Sequence, residues 1–83
     1  MAWLMLWLMN LIEPELDVFD EEGVDLPDLQ TARKVALCAA QDILAADLRA
    51  GLPLFLDRHI DIANAGGETL LTVEFRDAIQ IVP

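Results

Sequence analysis

DLQTARKVALCAAQDILAADLRAGLP, residues 28–53, decides the fold, because it reads as one helix with both ends written into it. Asp28 suits the N-cap: its carboxylate can accept from the open amides of the first turn and complements the helix dipole. From Leu29 to Ala50 there is neither Gly nor Pro, and six alanines fall between Ala32 and Ala46. Leu29, Ala32, Ala36, Ala39, Ala40 and Ile43 recur at spacings of three and four, with Leu37, Leu44 and Leu48 widening the stripe. Gly51 and Pro53 then stop the helix. The expected helix spans 28–50, and its alanine stripe allows close approach to a sheet.

Downstream, residues 58–75 read as a hairpin. Ile60 and Ile62 alternate with His59, Asp61 and Ala63; Asn64-Ala65-Gly66-Gly67 supplies the turn; Leu71, Val73 and Phe75 alternate with Leu70, Thr72 and Glu74. Ile60, Ile62, Leu71, Val73 and Phe75 form the expected inward set. Arg76-Asp77 interrupts the pattern, leaving Ala78–Val82 as a short tail, either a helical turn or extended.

Upstream lies an acidic linker. Glu13-Pro14 breaks the preceding run, since Pro removes a donor and holds its predecessor extended. Leu16–Phe19 is a short extended piece, Asp20-Glu21-Glu22-Gly23 a turn with Gly23 free to take positive φ, and Val24–Asp28 the lead into the helix.

Residues 1–12, MAWLMLWLMNLI, are apolar except for Asn10. A membrane span needs about 20 such residues. A basic n-region and a cleavage site are missing, so a secretory signal is not expected. Two readings stand: a strand whose side chains fill the core, or an exposed, sticky arm. The bounded run and the turn after it favour the strand. Without strict alternation, such a strand is buried on both faces or inserted in an oligomer.

Together these segments give an α+β chain, a single domain over 1–83. One long helix packs on a small antiparallel sheet of three to four strands, in the order β-(β)-α-β-β. Two free sheet edges invite pairing and admit a homodimer.

Charge narrows the partners. The formal net charge is −10, and the first 32 residues hold no Lys or Arg, while eight acids lie between Glu13 and Asp28. Such a field repels nucleic-acid phosphates and anionic membranes and favours solubility or a basic partner. Asp17, Asp20, Glu21, Glu22 and Asp25 form a candidate acidic interaction face; the competing reading is a solvated surface. A single cysteine permits no internal disulfide and fits a reducing cytoplasm.

Chemistry-bearing groups are few. The chain has no Ser and no Tyr. Cys38 lies in a helical Ala/Leu stretch, where a thiol ordinarily packs in the core or at its rim. Cys38 and His59 are the only nucleophile and base that could be paired, and Cys38 sits far from the helix N-terminus that would stabilise a thiolate. His59 alternates with the inward isoleucines and is expected to face solvent. One His and one Cys cannot close a structural zinc site. The acidic run fails as an EF-hand, because placing Gly23 sixth puts Val18 first and Leu29 twelfth, where ligands are required. A Gly-rich phosphate loop is not found, since Gly66-Gly67 lies in a hairpin turn. No catalytic residue, metal ligand or cofactor is therefore assigned.

The run Asp20-Glu21-Glu22-Gly23-Val24-Asp25-Leu26-Pro27-Asp28-Leu29, the Ala-rich helix and the closing Leu71–Ala78 together resemble a family of small bacterial proteins defined as a domain of unknown function. The resemblance covers about residues 17–81 and implies a compact α+β unit with no catalytic residues to transfer. It departs at the start, where the family mixes aromatic and polar residues and this chain has MAWLMLWLMNLI. The leading expectation for function is a non-enzymatic interaction or regulatory module. Peripheral membrane association through residues 1–12 is the alternative, and an enzyme of unknown type the third.

Overall fold

The computed structural model describes residues 4–80 and 82. In chain order the elements are β1 (Met5–Ile12), β2 (Asp17–Val18), β3 (Val24–Leu26), α1 (Leu29–Arg49), β4 (His59–Ala63), β5 (Thr69–Glu74) and a 3-10 turn (Phe75–Ala78). All strand pairings are antiparallel, in a five-stranded sheet ordered β2-β1-β4-β5 with β3 also on β1. The α+β architecture is the expected one, with more strands than the three or four anticipated. The apolar N-terminal segment is a strand from Met5 to Ile12, central in the sheet; residues 1–3 of that segment lie outside the described residues.

The extra strand comes from the acidic linker. β2 and β3 are two stretches of one return limb that runs back along β1. Leu11 faces Val18, whereas Trp7 faces Val24, so four residue steps along β1 oppose six along the limb. The surplus is taken up at Phe19–Gly23, which breaks the limb in two. Val24–Leu26, expected as a lead into the helix, is thereby a strand.

Helix α1 follows its sequence signals. The Asp28 carboxylate accepts the Thr31 amide at 2.7 Å. At the other end Gly51 adopts φ +73° and donates to the Leu48 carbonyl, while Leu52 donates to that of Asp47, closing a Schellman cap. The buried stripe is Ala32, Ala36, Ala40 and Leu44, one residue per turn. Their small side chains bring the helix close to Trp7, Ile60, Ile62, Val73 and Phe75, which complete the core with Ala78. Leu71, expected inward, packs at its margin. Two expectations fail. Leu48 is 68% exposed because the buried stripe ends at Leu44. Cys38 is exposed rather than packed in the core or at its rim, because two residues from Ala36 and from Ala40 is about 200° around the helix, the side away from the sheet.

Arg58 is the buried charged residue of the described chain. Its Nε donates to the Phe55 carbonyl and one terminal nitrogen to Asp47, both at 2.9 Å, while the guanidinium lies 4.6 Å from the centre of the Phe75 ring. It thus ties the end of α1 to the start of β4 and to the core. After β5, the 3-10 turn is fixed by Phe75 N–H donating to the Arg58 carbonyl and by the Gln41 amide donating to the Ala78 carbonyl.

Candidate functional site

Antiparallel pairing puts directly opposed residues on one face of a sheet, so the register sorts every strand residue. Met9–Ile62–Leu71 and Leu11–Ile60–Val73 form rows toward α1, and all six side chains belong to the core or pack on it. Leu8–Ala63–Thr69, Asn10–Asp61–Thr72 and Ile12–His59–Glu74 form rows on the other face, which carries no helix. Leu6 with Asp25, and Ile12 with Asp17, extend this open face onto the return limb.

The missing alternation in β1 now has its reason. Trp7, Met9 and Leu11 serve the core, whereas Leu6, Leu8 and Ile12 line the open face and do not join the core. The strand is apolar on both sides, and only one of those sides has a partner layer within the described residues.

On the open face a polar ladder sits beside this apolar line. Thr72 donates its hydroxyl to Asp61 at 2.7 Å, and His59 Nε2 lies 3.6 Å from the same carboxylate oxygen. His59 is half-buried and faces away from α1, as its alternation implied. Cys38 looks outward from the far side of the helix. The helix and sheet layers therefore stand between Cys38 and His59, and the structure does not bring the pair together.

The five acids of the expected interaction face divide into two kinds. Asp20 works internally. Its Oδ2 accepts the Met9 amide at 3.1 Å, its Oδ1 accepts those of Gly23 (3.0 Å) and Glu22 (3.2 Å), and its own amide donates to Asn10 Oδ1 at 2.9 Å. Partial burial works against the charged form, yet the amides of Gly23, Met9 and Glu22 outweigh it and hold the Asp20 carboxyl below its ordinary 3.8. Asp17, Glu21, Glu22 and Asp25 are exposed. Asp17 and Asp25 lie on the open face and Glu21 and Glu22 at the break between β2 and β3. Among the described residues, no three His, Cys, Asp or Glu side chains gather as a metal site.

Two features escaped the sequence reading. Arg58 has partners 3, 11 and 45 residues away in sequence, at Phe55, Asp47 and Glu13, and no local pattern marks it. A hollow of about 310 Å³ opens beside it, lined by Glu13, Pro14, Glu15, Phe55 and Asp57 as well as Arg58 itself. Its one cation is already engaged by Asp47 and the Phe55 carbonyl, so the charged groups left to the hollow are the carboxylates of Glu13, Glu15 and Asp57, beside apolar Pro14 and Phe55.

A two-layer α+β unit with an anionic, partly apolar open sheet face is what fold and surface define. The chain belongs to the family Domain of unknown function (DUF6894), whose model matches residues 10–76. No curated protein and no solved structure matches it. The family model spans the turn clamped by Asp20, the helix and the hairpin. It begins at Asn10, inside β1, so most of the apolar stretch 1–12 lies outside it.

Proposed function

We propose that this protein is a small non-enzymatic interaction or regulatory module, working in a bacterial cytoplasm, whose contact surface is the open face of its sheet. The observation that carries the reading is the two-sided apolar character of β1. Leu6, exposed, and Leu8 and Ile12, half-buried, keep apolar surface on a face that does not join the core, and apolar patches rimmed by polar groups mark interaction sites. Asp17 and Asp25 provide that rim on one side and Glu74 on the other.

The test is capture from cell extract on the immobilised chain, beside a Leu8→Gln/Ile12→Thr variant and an unrelated control of equal charge. Proteins retained by the parent at low and high salt and lost from the variant support the reading. Retention of the same set by the charge-matched control would end it.

A second reading, peripheral membrane contact through residues 1–12, draws on the exposure of Leu4, Met5 and Leu6. Trp7, Met9 and Leu11 are committed to the core, which leaves a short patch for a bilayer. No helix among the described residues is long and apolar enough to cross a membrane. Failure to float with neutral liposomes removes this reading.

A further inference from the structure

Most exposed cations of this protein lie on α1, beside Asp42 and Asp47, whereas the open sheet face is mainly anionic. Arg33, Lys34 and Arg49 are exposed on α1, and Arg58 is buried between the layers. Asp17, Asp25, Asp61 and Glu74 all lie on the open sheet face, and Arg76 lies 3.7 Å from Glu74. Between the carboxylates of the return limb and those of β4 and β5 runs the open-face line of β1, with Leu6 exposed, Leu8 and Ile12 half-buried and Asn10 the polar residue among them. From this arrangement, and resting on the reading of the open face as a contact surface, we infer that its occupant is a basic amphipathic helical segment of another protein, laid along β1.

Three features choose this occupant. A helix is the element that covers an unfilled sheet face in a layered fold, as α1 already covers the other. The line from Leu6 to Ile12 measures about 20 Å at the rise of a strand, the length of about 13 helical residues. An apolar stripe of that length, at spacings of three and four, meets Leu6, Leu8 and Ile12, and Lys or Arg on its two flanks meets Asp17 and Asp25 on one side and Glu74 on the other. Such charge complementarity sets partner choice and association rate more than raw affinity. A second copy of this chain fits poorly, since a two-fold contact sets a patch against itself: it would oppose these same acids across the interface, with −10 on each protomer.

The experiment is calorimetric titration of the full chain with synthetic peptides, alongside backbone amide NMR and sedimentation of the chain alone. The probe is a Leu/Lys amphipathic helix of about 15 residues. Its controls are the Lys→Glu counterpart and a scrambled sequence of the same composition. The expected result is binding of the Leu/Lys peptide alone, with shifted amides in β1, the return limb and β4. Affinity should fall roughly tenfold in Leu8→Gln/Ile12→Thr, the loss of about two buried methylene groups from these half-buried side chains. It should fall also in Asp17→Asn/Asp25→Asn, more steeply at low salt than at high. Equal binding of the scrambled peptide reduces the contact to charge and overturns the inference. Self-association that shifts the same amides, without peptide binding, makes the occupant a second copy; the inference then falls while the contact-surface reading stands. If neither peptide nor protein concentration perturbs the open face, both fall.

Discussion

The Asp20 carboxylate accepts the backbone amide of Met9 at 3.1 Å, in the gap where the return limb leaves β1 without a backbone partner. Its second oxygen holds the amides of Glu22 and Gly23, and Asn10 holds its own amide. One side chain thus mends the break between β2 and β3. The Asp-Glu-Glu-Gly run belongs first to the fold and only at its exposed members to a contact surface.

Asp20→Asn should therefore destabilise the protein by about 1–3 kcal/mol, since an amide cannot serve three backbone donors as a carboxylate does. The measurement is chemical denaturation at neutral pH. A loss under about 0.5 kcal/mol, the usual scale of a neutral surface change, would contradict the clamp.

Acid should expose the same group. The folded-state value of Asp20 lies below its ordinary 3.8, so the unfolded chain takes up its proton first as pH drops. Its stabilising effect is complete above that ordinary value and lost as pH falls through the lowered one. Asp28 acts in the same direction, held down by its hydrogen bonds from Thr31 and, less strongly, by Lys34. Between about pH 5 and pH 2, stability of the parent should decline more steeply than that of Asp20→Asn. Parallel pH profiles would contradict this.

Gly23→Ala should cost more than Gly67→Ala, although both residues have positive φ, +74° and +86°. A Cβ at Gly23 would lie 2.7 Å from Leu6 Cδ1 and 3.0 Å from the Trp7 carbonyl oxygen, while one at Gly67 meets nothing within 4 Å. Gly67→Ala carries only the backbone cost of about 1 kcal/mol, and Gly23→Ala adds a clash with β1. Equal losses in paired melts would rule out the close approach.

Arg58→Leu should lower stability by about 3–5 kcal/mol, because it strips the half-buried Asp47 carboxylate of its buried partner and leaves the Phe55 carbonyl without its donor. Arg58→Lys should recover only part of this, since an ammonium lacks the planar fork that bonds and stacks at once. Full recovery by Lys would reduce the site to a point charge.

Local signals made the helix and the hairpin legible. Asp28, the alanine spacing and Gly51 act within a few residues of one another, and Asn64 closes its own turn by accepting the amides of Gly66 and Glu68. What stayed hidden depends on distant pairing. Asp20 finds Met9 eleven residues back, and Arg58 finds Asp47 eleven residues back across a loop. Cys38 reads as packed in the core or at its rim because six alanines make nearly every helix face look apolar, and only the sheet selects the 32–36–40–44 seam. The apolar run before Glu13 read as a strand but concealed which of its residues serve the core, since alternation cannot show when both sides are apolar.

The division of β1 into a face for the fold and a face for a partner is the central claim, and paired denaturation of Leu8→Gln and Leu11→Gln tests it most directly. Leu11→Gln, which places an amide against the core, should cost about 2–4 kcal/mol, and Leu8→Gln, on the open face, under about 1 kcal/mol. Equal, large losses would mean that Leu8 also serves the fold, and the open face would then have no surface to spare for a partner.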